Sequence, residues 1–346
     1  MSFCNTGGCS RWGCSPCMRC RIPAPCCLQC PPGPQGPPGP QGPPGPSGMG
    51  VSYGYVLNIC NSTVTPVNGT SGVAEAAIPL PHAPTTSIEI NPHTRYAYIP
   101  SYNDSVVNVV NTDTNEVVAT VPVGANPSLL ALNPATNRVY VPNFWGNTIS
   151  VIDGNSNTVI ATMPGDSRPR AAAVNPNTNT IYVINDGGRN VSVFNGYTNG
   201  LITTIQLGAY YPWYIALNPN TNMLYVASTD GMFWVIDGST NALTTSFSLP
   251  TDYPSGLAVD PGANVIYVTG NNGLMAVVNG NTNQVIRTQT LAQRLSGIAI
   301  DPNSDLMYLS ADMDQAVLVY DRARGQIVHS VPMECPSTVA TVTKRA

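Results

Sequence analysis

Charged side chains are scarce in this sequence. They make up 9% of its 346 residues, against about a quarter in an ordinary soluble domain, and Lys344 is the one lysine. Nucleic acids and anionic membrane surfaces are bound by dense Lys and Arg, so a formal charge of -4 with so few cations argues against both as partners. Solubility must then rest on Asn, Thr and Ser.

Long apolar runs are also missing. No stretch approaches the roughly 20 residues that span a bilayer, and the first residues lack a charged start followed by an apolar core. We therefore expect no membrane span and no classical signal peptide. Ten cysteines are nevertheless unusual for a cytosolic protein. Synthesis in a cytosol followed by deposition on a cell or spore surface would account for both features.

Motifs for catalysis or cofactors are absent as well. The three histidines fall at different places of a repeated pattern, so they do not predict a metal centre. Cys14-Ser-Pro-Cys17 is followed by Met18, which excludes a c-type haem attachment. Asp312 and Asp314 on one turn are weak grounds for a calcium site. The sequence predicts neither an enzyme nor a cofactor.

Proline and glycine, by contrast, are abundant and ordered. Residues 31–48 form six triplets with glycine in every third place, from Pro-Pro-Gly33 to Pro-Ser-Gly48. Only glycine fits the axis where three polyproline-II chains meet, so this period predicts a collagen-like triple helix and hence a homotrimer. At about 3.1 Å per residue such a stalk would be roughly 55 Å long. A stiff single-chain linker is the alternative, although it needs no strict period.

Eight of the ten cysteines crowd into residues 1–30, which we assign as an anchor. So dense a cluster must be tied by disulfides, by metal or to other chains. Cys-x-x-Cys spacings make zinc a rival, but the adjacent Cys26-Cys27 pair and the lack of histidine favour disulfides, some of them between chains. The anchor cysteines are Cys4, Cys9, Cys14, Cys17, Cys20, Cys26, Cys27 and Cys30.

Residues 49–346 repeat a pattern about every 42 residues. An Asn-Pro or Asp-Pro dipeptide recurs from Asn91 to Asp301 at intervals of 42, 42, 43, 42 and 41, each followed by a turn and a strand. Four short β-rich runs per period, separated by turns, are typical of a β-propeller blade. In the unit from Pro127 the pattern predicts strands at residues 128–132, 139–142, 148–153 and 159–163.

The two ends of this region supply the rest of the ring. Six units are complete, whereas residues 53–58, 62–68 and 73–80 match the last three strands of a blade and residues 336–342 match its first. We therefore predict an all-β fold, a seven-bladed β-propeller closed by pairing of its N- and C-terminal strands. Such a closure leaves no free sheet edge around the ring.

Cys60 and Cys335 lie outside the anchor and test this register. Cys60 follows the second strand of the seventh blade and Cys335 precedes its first strand. These places are neighbours because the two strands run antiparallel, which predicts a disulfide that locks the ring. Two unrelated buried thiols are the alternative.

The repeats carry a further motif, Tyr-Val-x-Asn, as in Tyr55-Val-Leu-Asn58, Tyr140-Val-Pro-Asn143 and Tyr182-Val-Ile-Asn185, followed by runs such as Asn147-Thr-Ile-Ser-Val-Ile-Asp153. Over residues 53–342 this resembles the YVTN family of β-propeller repeats, which implies a propeller and a prokaryotic surface protein but no particular activity. Tyr308-Leu-Ser-Ala311 departs furthest from the motif.

The order of anchor, stalk and head is similar in layout to the collagen-like glycoproteins of the spore exosporium. The resemblance implies a trimeric filament whose N-terminal cysteines join a spore coat, exosporium or fibre protein. We expect a structural surface protein whose propellers act as adhesive tips. The alternative is a ligand-binding or lactonase-like enzymatic propeller displayed on the same stalk.

One face of the ring carries the loops that differ between repeats. The stalk should meet the opposite, bottom face, which has the turns after the first and third strands, so this top face would point outward. Its side chains could stack on a carbohydrate or anchor a protein ligand; unconstrained loop variation is the alternative. The candidates are Tyr102, Phe144, Trp145, Arg168, Arg170, Asp186, Arg189, Tyr210, Tyr211, Trp213, Asp230, Tyr253, Arg294 and Asp312.

A lone carboxylate breaks the pattern of the first strand. Two places before the Asn-Pro or Asp-Pro dipeptide the chain has alanine in five repeats, and Ala340 takes this place in the seventh blade, whereas the first complete blade has Glu89. We expect Glu89 to face the central channel, bound to water or a cation. Alone it is at most half of a general acid/base pair.

Overall fold

The computed structural model describes residues 50–85, 87–208 and 210–344, and the predicted anchor and stalk lie outside these ranges. The described chain forms seven antiparallel sheets, in six of which consecutive strands lie side by side. This confirms the predicted all-β, seven-bladed β-propeller. Within the described ranges, no helix is long and apolar enough to cross a membrane.

Each blade is lettered from strand A at the central axis to strand D at the rim. Blade 7 contains β1 (Val51–Asn58), β2 (Thr63–Asn68), β3 (Val73–Ala74) and β4 (Ile78–Pro79), and blade 1 contains β5 (Glu89–Ile90), β6 (Tyr96–Ser101), β7 (Val106–Asn111) and β8 (Glu116–Pro122). Blade 2 contains β9 (Ala131–Asn133), β10 (Arg138–Asn143), β11 (Thr148–Asp153) and β12 (Thr158–Pro164). Blade 3 contains β13 (Pro169–Asn175), β14 (Thr180–Asn185), β15 (Asn190–Asn195) and β16 (Gly200–Gln206). The remaining strands are β17 (Pro212–Asn218), β18 (Met223–Ser228), β19 (Met232–Asp237) and β20 (Ala242–Ser248) of blade 4; β21 (Pro254–Asp260), β22 (Val265–Gly270), β23 (Leu274–Asn279) and β24 (Gln284–Thr290) of blade 5; β25 (Gly297–Ile300), β26 (Leu306–Ala311), β27 (Ala316–Asp321) and β28 (Gln326–Pro332) of blade 6; and β29 (Pro336–Lys344), which returns to blade 7.

Blade 7 is closed by both ends of the described chain, as predicted. Its strand order is β29-β1-β2-β3, and β29 pairs with β1 from Val51 opposite Lys344 to Asn58 opposite Pro336. Beyond that end of the sheet, Cys60 and Cys335 form a disulfide with a Cα–Cα distance of 5.8 Å across a sequence separation of 275 residues. The predicted disulfide is therefore confirmed, and it lies on the top face.

Two strand predictions need correction. Strand A of blade 2 was expected at residues 128–132, but β9 begins only at Ala131, because Leu129 leaves its own blade and pairs in parallel with Ala171 of blade 3. The Leu129 amide donates to Arg170 O at 3.0 Å, and the Ala172 amide donates to Leu129 O at 3.0 Å. In blade 7, the strand expected at residues 73–80 is split into β3 and β4, both of which pair with β2.

The tyrosine of the repeated motif fills the space between blades. Strand B of every blade carries it, six of the seven are fully buried, and Tyr267 is partly exposed. Tyr55 of blade 7 shares one apolar cluster with Ile90 and Ala97 of blade 1, and its hydroxyl donates to Thr112 O at 2.7 Å. Aromatic side chains bury a large area, so this position joins each blade to the next.

The asparagine that ends the motif closes the B–C hairpin. Asn143 Nδ2 donates to Thr148 Oγ1 at 2.9 Å and to Ser150 Oγ at 3.0 Å, and the asparagine is fully buried. Asn58 and Asn185 make the same kind of contacts in their own blades. Two of the four letters of the motif thus have a purely structural explanation.

The Asn-Pro repeat forms a row of side-chain hydrogen bonds on the bottom face that joins blades 1 to 5. Asn133 Nδ2 of blade 2 donates to Oδ1 of Asn179 in blade 3 at 2.8 Å, while Asn133 Oδ1 accepts the Ala135 amide of its own turn at 3.0 Å. Asn179 has φ of 52°, a left-handed conformation that asparagine tolerates better than most residues. The same bond joins Asn91 to Asn137, Asn175 to Asn222 and Asn218 to Asn264.

At the rim of the ring, irregular strand pairing rather than charge protects the outer strands from pairing with another chain. In blade 2, Val151 pairs with Ala161 and Ile152 with Val159, which leaves Ile160 as an extra residue in strand D. The C–D pairs of blades 1 to 6 all shift register at this place. Bulges on an edge strand disfavour pairing with another chain, which matters in a protein with so few lysines.

Candidate functional site

Three positions of each repeat surround the top end of the ring. The first position precedes a proline, or Leu295 in blade 6, that stands at or shortly before the start of strand A. The second position is two residues after the first, and the third follows strand B. Side chains at these positions differ from blade to blade, which is how the sequence marks this face. In chain order the first position has Asn126, Arg168, Tyr211, Tyr253, Arg294 and Cys335; the second has Ser128, Arg170, Trp213, Ser255, Ser296 and Ser337; and the third has Ile59, Tyr102, Phe144, Asp186, Thr229, Asn271 and Asp312.

Blades 3 and 4 replace the common serine of the second position with Arg170 and Trp213, and the two side chains stack. The Arg170 guanidinium carbon lies 3.4 Å from the centroid of the Trp213 ring and 4.7 Å from that of Phe144. Burial lowers the pKa of Arg170, and the nearby Asp186 carboxylate opposes this shift. A cation between two aromatic faces is held in place by electrostatics and packing together.

Asp186 balances the charge of this group. Its carboxylate is buried and lies 3.7 Å from Arg168 Nη1 and 3.9 Å from Arg170 Nη2. The Arg168 guanidinium also lies 5.9 Å from the Phe144 ring centroid. Phe144 in turn contacts Tyr102 at a centroid distance of 6.5 Å and Trp145 edge-on at 5.0 Å. The structure thus gathers seven of the predicted top-face residues into one group.

Four other candidates lie outside this group and make local contacts. Tyr211 accepts a hydrogen bond from Arg189 Nη2 at 2.7 Å, and Tyr210 packs edge-on against Trp234 with centroids 6.1 Å apart. Asp230 is exposed and accepts a hydrogen bond from Thr229 Oγ1 at 3.0 Å. These contacts are local to blades 3 and 4.

A cavity of about 410 Å³ opens beside the group, over blades 4 to 7. Trp213 forms part of its wall, together with Tyr253, which is 62% exposed at the rim. Arg294 and Asp312 form an ion pair in the wall, with Nε and Oδ2 3.4 Å apart. The volume lies within the range of about 300 to 1,000 Å³ that small-molecule sites occupy. The remaining wall residues include Ile59, Cys60, Thr229, Pro254, Asn271, Cys335 and Pro336.

Tyr214 forms the floor of this cavity. It lines both the cavity and the narrow space between the inner strands beneath it. Burial raises the pKa of the Tyr214 hydroxyl above its ordinary value, so at neutral pH the group is an uncharged donor. The corresponding residues of the other blades are smaller: Ser87, Leu129, Ala171, Gly256, Gly297 and Thr338.

Three serines of the second position line the cavity, and they differ in their hydrogen bonds. Ser255 Oγ donates to Leu295 O of the next blade at 2.6 Å, and Ser296 Oγ lies 3.2 Å from Pro336 O of the next blade. Ser337 is 4% exposed, and its hydroxyl has no hydrogen-bond partner in the described structure. A buried hydroxyl without a partner costs free energy, and of these three serines it is Ser337 that is in this state.

Glu89 faces the central channel, as the sequence predicted. Beneath Tyr214, strand A of all seven blades encloses about 400 Å³, and the alanines of the other blades surround this one carboxyl group. Solvent in the channel reaches the side chain, yet the surrounding protein raises its pKa to about 7 by burial. In the described ranges no three His, Cys, Asp or Glu side chains come together to hold a metal ion.

Sequence reasoning missed several cavity residues. Tyr214 was overlooked because it lies inside a strand rather than in a loop, although its size is unusual among the residues at the same place of the repeat. Ser337 looks ordinary in sequence, since serine is common at that position, and only the missing partner sets it apart. The disulfide was predicted, but its place in the cavity wall was not.

Comparisons with known proteins agree with the fold and go no further. No protein-family model matches the sequence, and no curated protein matches it. Hydrazine synthase from Kuenenia stuttgartiensis matches with a TM-score of 0.68 at 17% identity, covering 75% of this chain and 90% of that one.

Two further solved structures are similar over nearly their whole length. A functionally unknown protein from Desulfotomaculum acetoxidans DSM 771 has a TM-score of 0.74 at 15% identity, with 84% of this chain and 99% of that chain covered. A candidate 6-phosphogluconolactonase from Bacteroides uniformis ATCC 8492 has a TM-score of 0.70 at 16% identity, with 85% and 100% covered. At such low identity these likenesses support the propeller fold and leave the activity open.

Proposed function

We propose that the chain is a structural protein of a cell or spore surface, a homotrimer whose collagen-like stalk displays three β-propeller heads. Residues 1–30 would anchor it through disulfides to a spore coat, exosporium or fibre protein, as the resemblance to exosporium glycoproteins implies. The glycine period of residues 31–48 supports the trimer.

The observation that carries this proposal is where the propeller begins. Val51 opens β1 opposite Lys344, at the bottom end of blade 7, whereas the disulfide lies beyond the other end of the same sheet. A stalk joined to Val51 would meet the bottom face. The top face, with its cavity and its stacked arginine and tryptophan, would then be presented outward.

An adhesive role for that outward face follows from its chemistry. Its aromatic side chains are held by contacts with arginines, so they lose little freedom when they bind a partner. The propeller has few charges to attract nucleic acid or anionic lipid. We propose no catalytic activity.

The test is the mass and melting of the full-length, oxidised chain. Light scattering should give the mass of three chains or a multiple of it, and circular dichroism should show a cooperative melt of the stalk in addition to that of the propeller. Gly39→Ala should weaken the trimer and lower the stalk melt, because a side chain does not fit the triple-helix axis. Gln41→Ala is the matched control in the neighbouring triplet and should change neither. A single-chain mass with no stalk melt would contradict the proposal.

Covalent anchoring has its own readout. On gels, unreduced material should migrate as multimers that reductant converts to single chains, because some cysteines of residues 1–30 would link chains. Migration as single chains without reductant would contradict the interchain disulfides while leaving the stalk intact.

The alternative is a ligand-binding or lactonase-like enzymatic propeller on the same stalk. The observation that favours it is the cavity, in which Arg294 and Asp312 are the charged residues of the wall. Hydrolysis of sugar-acid lactones by the full chain, lost on Asp312→Asn, would support it. An unchanged rate of lactone hydrolysis with and without the protein would count against it.

A further inference from the structure

We infer that the top-face cavity of blades 4 to 7 binds a neutral saccharide of one or two rings. The inference rests on the proposed display at a surface and gives its adhesive face a site and a ligand class. The cavity has three features that such a ligand needs: an immobilised aromatic wall, uncharged hydrogen-bonding groups and no net charge.

The aromatic wall is fixed before any ligand arrives. Arg170 covers one face of the Trp213 ring at 3.4 Å, so the ring meets the cavity through its other face or its edge. Tyr214 adds the floor and Tyr253 the rim. Sugar rings carry a face of C–H groups that packs on such surfaces, and a pre-organised ring spends little entropy in binding it.

The polar groups suit hydroxyls rather than charges. Arg294 and Asp312 are paired with each other, so the wall contributes one positive and one negative charge and no net charge. The Asn271 amide offers both a donor and an acceptor, and the Tyr214 hydroxyl adds an uncharged donor. A sugar hydroxyl both donates and accepts, so it can satisfy any of these groups.

Ser337 supplies the independent observation that points to a ligand. Its hydroxyl is buried in the cavity wall without a partner, whereas the equivalent Ser255 donates to a carbonyl of the next blade. Buried polar groups are nearly always hydrogen-bonded in folded proteins. A rotation of the Ser337 side chain that brings its hydroxyl into the cavity would let a ligand hydroxyl provide the bond that the protein does not.

Other ligand classes fit less well. A phosphate or carboxylate would need an excess of positive charge, but Asp312 offsets Arg294. A wholly apolar molecule would remove the Arg294–Asp312 ion pair from solvent without offering it a hydrogen bond, at a cost in free energy. The volume of about 410 Å³ lies at the low end of small-molecule sites, which favours a short saccharide over a long one.

The test is calorimetry of the full-length protein against a panel of methyl glycosides and disaccharides of glucose, galactose, mannose and N-acetylglucosamine, with methyl glucuronide as the charged counterpart of methyl glucoside. At least one neutral sugar should bind with one site per chain and more tightly than the uronide. No binding by any member of the panel, or tighter binding of the uronide, would overturn the inference.

Single substitutions test whether the sugar binds in this cavity. Trp213→Ala should weaken binding at least about 30-fold, as truncation of a central aromatic anchor does, and Ser337→Ala by about 2- to 10-fold. Trp145→Ala is the matched control, since Trp145 is a top-face tryptophan that is 59% exposed and does not line the cavity. Loss of binding in the control with retention in Trp213→Ala would place the site elsewhere and overturn the inference.

Misfolding and failure of the stalk can both be told apart from failure of the site. Tyr253→Ala alters an exposed rim residue, so it should weaken sugar binding while the melting temperature stays that of the wild type. The trimer mass is measured on the same samples. A trimer that binds no sugar refutes the saccharide site alone, and a single chain that binds sugar refutes the stalked trimer alone.

Discussion

The two faces of the propeller use the same repeat in opposite ways. On the bottom face, one asparagine pair recurs from blade to blade, as between Asn133 and Asn179 or Asn175 and Asn222. On the top face, one position holds serine in four described blades, Arg170 in blade 3 and Trp213 in blade 4. Repetition builds the ring, and departure from the repeat builds the cavity and the stacked group beside it.

Asn133 and Ser337 show the same contrast at single side chains. Asn133 both donates and accepts within the protein, whereas the hydroxyl of Ser337 finds no partner. At these two positions, stability should therefore depend more on the bottom face than on the top face. The disulfide is the exception, because it is a covalent tie located on the top face.

The largest expected effect on stability comes from removing the disulfide. Cys60→Ala combined with Cys335→Ala removes a crosslink that closes a sequence separation of 275 residues, and the chain-entropy estimate for such a loop is about 5.5 kcal/mol. Denaturant unfolding followed by tryptophan fluorescence should show a loss of this order. Reductant should lower the unfolding midpoint of the wild type and leave that of the double variant unchanged. A double variant with the same midpoint as the oxidised wild type would contradict the role of the disulfide.

Asn133→Ala should have the next largest effect. The substitution leaves Asn179 Oδ1 without its donor and the Ala135 amide without its acceptor, at a cost of about 1 to 3 kcal/mol. Ser337→Ala is the top-face counterpart and should be neutral or slightly stabilising, because no hydrogen bond is lost. Thermal melts of the two variants test the contrast between the faces directly. Equal losses of stability in Asn133→Ala and Ser337→Ala would contradict that contrast.

Removing single tyrosine hydroxyls sharpens the comparison within the ring. Tyr55→Phe should cost about 0.5 to 1.5 kcal/mol, since this hydroxyl contacts Thr112 O and Asn115 Oδ1. Tyr225→Phe is matched in burial, but the Tyr225 hydroxyl has no partner. Tyr225→Phe should lose no stability or gain slightly. Urea midpoints distinguish the two, and a larger loss in Tyr225→Phe would be the contrary result.

The smallest effect concerns pH and Glu89. Its pKa is raised to about 7 in the folded protein, above the value of about 4.3 in an unfolded chain, so the folded state binds the proton more tightly. Stability from this group is complete below about pH 4 and declines as the pH rises toward 7. Channel water keeps the change small. Glu89→Gln should remove this decline, with Glu116→Gln on the exposed β8 as control; an identical pH profile in wild type and Glu89→Gln would contradict it.

Much of the ring was predictable because it repeats. The spacing of the Asn-Pro dipeptides set the number of blades, and the leftover strands at residues 53–80 and 336–342 required the closure that β1 and β29 make. The disulfide followed from register alone. These inferences depend on backbone geometry, which a 42-residue period specifies well.

The cavity was not predictable in the same way. Its wall combines residues as distant as Ile59 and Ser337, and its polar character depends on which hydroxyls find partners. The departure of Leu129 toward blade 3 shows the same limit, because inner strands crowd the axis and compete for partners. The sequence identified Arg170 and Trp213 as candidates, but not that they stack on each other.

The closure of blade 7 also fixes the order in which the protein can be completed. Of the described propeller strands, β1 is synthesised first, and its inner neighbour, β29, is synthesised last. Until then one side of β1 has no strand to pair with, so a nascent chain with six finished blades is still an open arc. We expect the final step of folding to be the docking of β29, followed by oxidation of Cys60 and Cys335.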